Sequence, residues 1–359
     1  MKFSPLSSWL PSRGAQAILI SGPCGAESRE QMLQTAQGLH ELGRVDLFRA
    51  GVWKPRTRPG TFEGKGEEAL KWLEEVKAQF GFKTTVEVAT AAHVELALKY
   101  GVDVLWVGAR STANPFSVQE IADALKGKDV AVMVKNPVQA DLQLWIGAIE
   151  RVYNAGITKM AAIHRGFHFY GKSQYRNEPV WQIPIELRTL FPELPLFCDP
   201  SHICGNRELI PSIAQKALDL GMDGLMIESH YQPEKALSDK EQQFTPAALV
   251  EVLNKLVQRE QLLSGDKRVN RLIELRKIID QIDEDILNSV QRRNRIIEQI
   301  GLYKKEHNIS IFQLERWQEI LRTRATWAEE LGLSLNHVEK LCQLLHEESI
   351  RLQNALMNK

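Results

Sequence analysis

No stretch of the chain reaches the roughly 18 consecutive apolar residues that a membrane-spanning helix needs. Residues 1–12 also lack the apolar core of a signal peptide, so a cytoplasmic protein with no membrane partner is expected. Net charge is missing too. Forty-five Lys plus Arg stand against 45 Asp plus Glu, which leaves no broad field to attract nucleic acid. Cysteine is scarce: Cys24, Cys198, Cys204 and Cys342 are too few and too scattered to staple 359 residues, and free thiols or a metal ligand are the readings that remain. What is present is an ordinary globular composition, 43% apolar and 25% charged, in a chain long enough for two domains.

Short apolar runs recur through the first 258 residues: Ala17–Ser21, Val45–Phe48, Thr84–Val88, Val102–Val107, Val130–Val134, Lys159–Ile163, Leu194–Cys198 and Gly224–Ile227. Amphipathic stretches long enough for helices lie between them, among them Arg29–Leu42, Glu67–Phe80, Ala91–Tyr100, Asp141–Ala155 and Arg207–Leu220. Strands buried on both faces and alternating with helices imply a parallel sheet. Eight such units suggest a closed (β/α)8 barrel, with an open doubly wound sheet as the alternative.

Each strand end carries a polar, reactive residue type. In order these are Cys24 with Glu27, Arg49 with Lys54, Glu87, Arg110, Lys135, Arg165, Asp199 with His202, and Glu228. A barrel gathers these ends at one mouth. The run Arg49 to Arg58 is the densest, with Arg49, Lys54, Arg56 and Arg58 leaving one strand end. Such a run is either a solvated basic loop or a seat for phosphate or carboxylate, for which guanidinium forks are suited. Cations converging in a cleft repel one another unless anions enter. Cys24, His202, Glu228 and Asp239 form a second group, of mixed soft and hard donors, that suits manganese, iron, cobalt or zinc better than calcium or magnesium. A small buried thiol and a hydrogen-bonded core histidine are the plainer readings of Cys24 and His202.

Gly22-Pro23-Cys24 with Glu27, Arg49, Lys54-Pro55-Arg56-Thr57, Gly108-Ala109-Arg110, Lys135-Asn136-Pro137, His164-Arg165-Gly166 and Asp199-Pro200-Ser201-His202 together resemble the type Iβ 3-deoxy-D-arabino-heptulosonate-7-phosphate (DAHP) synthases over residues 15–258. The resemblance implies condensation of phosphoenolpyruvate with erythrose 4-phosphate at the mouth of a (β/α)8 barrel. By motif, Arg49, Arg110, Lys135 and Arg165 would hold phosphoenolpyruvate, and Lys54, Arg56 and Thr57 erythrose 4-phosphate. Cys24, His202, Glu228 and Asp239 would hold a divalent metal, manganese first, with Lys54, Lys135 and His202 serving the chemistry. The Lys54-Pro55-Arg56-Thr57 run resembles this family rather than the related 3-deoxy-octulosonate-8-phosphate synthases. His164 stands where many relatives carry an acid. With the first strand at Ala17, no regulatory domain is expected ahead of the barrel.

Composition changes after Val257, and residues 259–267 read as a linker. From Lys267 to His307 there is no Pro and one Gly, which predicts a single helix about 60 Å long. Along it Leu272, Arg276, Ile279, Asp283, Ile286, Val290, Arg293, Ile297, Ile300 and Lys304 recur at steps of four and three, a heptad seam that carries charges. A coiled-coil dimerisation arm is one reading. Yet cations on an aliphatic face are costly to bury without anionic partners, and Arg276 lies about 25 Å from Arg293 on one helix, so an antiparallel second protomer would be needed to bring them together. Two more helices are expected, Gln313–Leu331 and Leu335–Met357.

The set Leu275-Arg276, Asp283, Arg293, Lys304, Arg316, Ser349 and Gln353 resembles the all-helical chorismate mutases (AroQ type). That resemblance implies an intertwined homodimer over residues 268–359, with higher oligomers open. Arg276 of the second protomer, Arg293, Arg316 and Ser349 would grip the substrate, and Lys304 and Gln353 would face its ether oxygen. Gln313 and Trp317 depart from the pattern, standing where the family often has carboxylates. The expectation is a bifunctional shikimate-pathway enzyme whose barrel is inhibited by prephenate. A synthase carrying a non-catalytic helical sensor or dimerisation module is the alternative.

Overall fold

The computed structural model describes residues 1–11, 16–54, 60–259 and 267–358, with side chains of the last segment described from 271. The chain divides into two compact units, Met1–Gln261 and Leu262–Lys359. Residues 260–266, most of the expected linker, lie outside the described residues, as do Arg56, Thr57 and Arg58.

The first unit is a closed barrel of eight parallel strands in sequence order: β1 Ile18–Gly22, β2 Leu47–Ala50, β3 Lys83–Val88, β4 Val104–Val107, β5 Ala131–Lys135, β6 Met160–His164, β7 Leu196–Cys198 and β8 Gly224–Glu228. Closure comes from β1 pairing with β8, in register from Ile18 opposite Gly224 to Gly22 opposite Glu228. The open-sheet alternative is thereby excluded. The pleat sorts side chains by parity. Ile18, Ile20, Leu47, Val104, Trp106, Ala131, Met133, Ala161, Ile163, Phe197 and Met226 fill the interior, joined by Trp9 and Leu10. Their neighbours Leu19, Phe48, Leu105, Val132, Val134 and Ala162 pack outward against the helices.

Six of the barrel's helices begin where the sequence supplies an acceptor side chain. Ser28, Thr90 and Asp141 accept the N–H groups of Gln31, His93 and Leu144. Asn114, Asp199 and Thr245 do the same ahead of a Pro at the first helical position.

The second unit is three helices, Lys267–Glu306, Leu314–Glu330 and Leu335–Met357. The 40-residue helix is the one its uninterrupted sequence predicts. Gly301 permits close packing of the last helix against it, since a Cβ there would lie 3.2 Å from Gln353 Cγ. No described helix is long and apolar enough to cross a membrane.

Candidate active sites

Continuing the pleat by two residues past the interior layer carries Arg49, Glu87, Lys135, Arg165, Asp199 and Glu228 into the barrel mouth. There they neutralise one another in part. Arg49 Nη1 lies 3.0 Å from Glu228 Oε1 and Lys135 Nζ 2.6 Å from Asp199 Oδ2, all four side chains being buried. The Trp106 ring lies 5.1 Å from the Arg49 guanidinium and 5.5 Å from Lys135 Nζ, while its indole N–H donates to Glu87 at 3.0 Å. His202 Nδ1 sits 2.8 Å from Asp199 Oδ2, and its Nε2 3.8 Å from Glu228 Oε1. Burial alone would raise the carboxyl pKa values. His202 and Lys135 instead hold Asp199 well below the usual range, and Arg49, then His202, lowers Glu228.

Two glycines let the first two loops meet. A Cβ at Gly22, whose φ is +149°, would lie 2.1 Å from the Arg49 carbonyl oxygen, and one at Gly51 the same distance from that of Cys24. This close approach sets Cys24 under Lys54, whose ammonium donates to Cys24 Sγ at 2.8 Å and to its carbonyl at 3.0 Å. Cys24 Sγ is also 3.2 Å from Asp239 Oδ2. Burial, then Glu228, pushes the Cys24 thiol up to about 12. The Asp239 carboxyl is held low despite burial, chiefly by Arg176 at 2.8 Å.

The four expected metal donors thus lie in two pairs, Cys24 with Asp239 and His202 with Glu228. Among the described residues no three His, Cys, Asp or Glu groups form a ready metal cluster. Their chemistry nonetheless suits a divalent transition metal: the donors are one sulfur, one imidazole and two carboxylates, Cys24 and Glu228 buried and His202 and Asp239 partly so, and Lys54 supplies the cationic charge beside the sulfur.

A cavity of about 510 Å³ opens beside them. Lys54, Arg110, Lys135, Arg165 and Arg176 contribute cations to its wall, against the carboxylates of Glu87 and Asp239. The surplus shows in Arg165. Burial, with Arg176 and Arg110 opposing the help of Asp199, lowers its guanidinium to about 10. Its Nη1 donates to Asn177 Oδ1 at 2.8 Å, and its backbone N–H to Asn136 Oδ1 at 2.7 Å. His164, the departure from the acidic pattern, points away from the mouth. It packs 5.2 Å from Trp181 and 5.7 Å from Phe167, and burial, with Arg165 next, depresses it to about 3.

Sequence reasoning missed Arg176, Asn177 and the bridging role of Asn136. Asn136 lay inside a recognised motif, but Arg176 and Asn177 sit in irregular chain between β6 and the helix Gln182–Leu190, where no periodicity marks a position.

In the helical unit the structure brings some of the expected residues together. Arg293 Nη1 donates to the Leu345 carbonyl at 3.1 Å, Ser349 Oγ to the same oxygen at 2.6 Å, and Gln353 Nε2 to the Ser349 carbonyl at 3.1 Å. Lys304 Nζ reaches the Ile311 carbonyl at 2.6 Å, and burial lowers its pKa. Arg276 is exposed, and Arg316 pairs with Glu319 at 2.5 Å on the surface. Neither joins this group within one chain. Arg324, not anticipated from sequence, depresses Arg293 together with burial.

A closed eight-stranded parallel barrel whose mouth gathers cations and carboxylates, followed by a three-helix unit, defines the class: a (β/α)8 barrel protein with an appended helical domain. The DAHP synthetase I family model matches residues 8–264, and the chain belongs to that family. Residues 275–354 match the chorismate mutase type II model. The phospho-2-dehydro-3-deoxyheptonate aldolase of Thermotoga maritima is 32% identical over 224 residues, which span 62% of this chain and 64% of that relative. The crystal structure of the T. maritima aldolase superposes with a TM-score of 0.59 at 29% identity, covering 67% of each chain. A 2-dehydro-3-deoxyphosphooctonate aldolase of Xylella fastidiosa is 29% identical, over 62% of this chain and 83% of its own.

Proposed function

We propose that the barrel condenses phosphoenolpyruvate with erythrose 4-phosphate, releasing phosphate, and that the helical unit rearranges chorismate to prephenate. The observation carrying the first reading is the cationic surplus around the 510 Å³ cavity, which two phosphorylated substrates would neutralise. Arg110, Arg165, Lys135 and Arg49 hold the phosphate and carboxylate of phosphoenolpyruvate. Lys54, with Arg56 and Thr57 two and three positions further along the sequence, holds erythrose 4-phosphate. Fixing the two substrates face to face contributes through proximity, and the same cations stabilise charge on the departing phosphate. Cys24, His202, Glu228 and Asp239 would hold a divalent metal, manganese before iron, cobalt or zinc, which supplies Lewis-acid polarisation of the aldehyde carbonyl.

In the helical unit Arg293 and Lys304 supply charge to a dicarboxylate, and Arg276 of a second copy completes the grip. An intertwined homodimer is proposed on the exposed apolar seam of the long helix, where Leu272, Ile279 and Ile286 face solvent. The rearrangement needs no nucleophile. Selecting the compact conformer and stabilising negative charge on the breaking ether suffices. Prephenate held at this unit inhibits the barrel, so that the later product governs the earlier reaction. The second reading, a helical unit that only senses or assembles, is favoured by Trp317, Gln313 and the diversion of Arg316 to Glu319. Measuring phosphoenolpyruvate loss and chorismate loss separately, each with and without prephenate, tests both. Synthase turnover without mutase turnover would select the sensing module, and a barrel rate indifferent to saturating prephenate would end the control hypothesis.

A further inference from the structure

On the last helix His346, Ser349 and Gln353 are spaced three and four apart and share one face. The His346 ring is clamped by the start of the neighbouring helix, Leu314–Glu330, and the chain just before it. Trp317 stacks on it with centroids 4.2 Å apart and planes 24° apart, and Phe312 meets it edge-on at 6.0 Å. Its Nε2 is buried and has no hydrogen-bond partner among the described residues. A buried polar atom left so is costly unless something else satisfies it. Two cations, Arg293 and Lys304, act on it. Arg293 reaches the adjacent Leu345 carbonyl at 3.1 Å. Burial, then Arg293 and Lys304 against the pull of Glu347, disfavours protonation of the ring. Charged groups for carboxylates are therefore already in place, and what His346 adds is one neutral, rigidly aimed hydrogen-bonding atom.

We propose that His346, held in place by Trp317, is a specificity-determining residue of the helical site: it hydrogen-bonds a neutral hydroxyl on the ring of a bound cyclic dicarboxylate whose carboxylates go to the neighbouring cations. The inference rests on the mutase reading above. It gives Trp317, which departs from the family pattern, a defined task. The stacked indole fixes the plane of an imidazole that discriminates between hydroxylated and unhydroxylated rings.

The test uses the full chain and two ligands, chorismate and the same molecule with its ring hydroxyl replaced by hydrogen. Calorimetry measures binding of each to the wild type, H346A and H346Q. H346A weakens chorismate about tenfold, the size of one lost hydrogen bond, but weakens the deoxy ligand less than about twofold. H346Q, which keeps a polar group of similar reach, recovers most of the chorismate loss. Equal losses for both ligands would make His346 a packing residue and overturn the assignment. A wild type that binds neither ligand would instead remove the mutase reading itself. Thermal melts separate a lost contact from a lost fold, and if H346A unfolds, H346Q carries the same comparison, with equal losses for both ligands again overturning it.

Discussion

The two units treat polar and apolar groups in opposite ways. In the barrel Arg49 and Glu228 are 2% and 0% exposed, and Lys135 and Asp199 5% and 0%, each ion pair closed within one chain. In the helical unit Leu272, Ile279, Ile286 and Ile300 stand 38%, 55%, 53% and 39% exposed along the long helix, and Arg276 on the same seam is exposed with them. Buried charges need their partners close by, whereas an apolar stripe of this extent on a lone chain is left for another surface to cover. The described barrel ion pairs close within one chain, while in the proposed mutase reading a second copy would cover the seam and supply Arg276.

The sharpest way to separate the regions is to strip the proposed divalent metal from the purified full-length chain with a chelator. Synthase turnover then falls by about 10³-fold, several kcal/mol of lost carbonyl polarisation, and returns with manganese, while chorismate turnover holds its rate. A parallel fall in both rates would show that the two sites are not independent. Next in size is Arg293→Ala. Removing a charge that grips a carboxylate lowers chorismate kcat/KM by about 10²-fold, far more than it lowers synthase kcat/KM. A change below about threefold in the mutase assay would favour a helical unit that does not catalyse.

The same contrast explains what the sequence revealed. All eight strands were legible, because strands buried on both faces read as short apolar runs, and Ala131 to Lys135 shows the parity that turns a core pattern into a cation at the mouth. The long helix was equally plain from its uninterrupted run. Arg176 was not, because an irregular loop carries no period, and its place beside Asp239 and Gln242 is fixed by contacts more than 60 residues away in sequence. The pairing of Lys54 with Cys24 was hidden for a related reason. It depends on backbone approach through Gly22 and Gly51, which no side-chain pattern records. In the helical unit the Trp317 and His346 stack was invisible because a departure from a motif reveals what is missing but not what replaces it.

A further test bears on acid stability, and its sign follows from His164. Its pKa falls from 6.5 to about 3 in the folded barrel, so the native state refuses a proton that the unfolded chain accepts. Nothing is lost above pH 6.5. Stability then drops as pH falls from 6.5 toward 3, by about 2 kcal/mol at pH 5 from this residue alone. Asp199 and Asp239 have lowered pKa values, so what they contribute is lost only below about pH 4, the ordinary carboxyl range. Urea melts at pH 7 and pH 5 should therefore show a smaller difference for His164→Phe than for the wild type. An unchanged difference would mean that the imidazole is hydrated or paired in solution.

The smallest effect expected concerns Arg316, which the family pattern assigns to substrate but which here bonds Glu319 three residues along the same helix. An exposed pair of that kind is weak and easily exchanged. If a second copy and a dicarboxylate draw Arg316 inward, the bond to Glu319 competes with binding, and Glu319→Gln should tighten chorismate by no more than about threefold. Raising the salt concentration should erase that advantage, since the competing pair lies in solvent. Weaker binding in Glu319→Gln would reverse the argument: the acid would then be holding Arg316 ready for substrate, and the helical unit, like the barrel, would be using an internal ion pair to aim its cation.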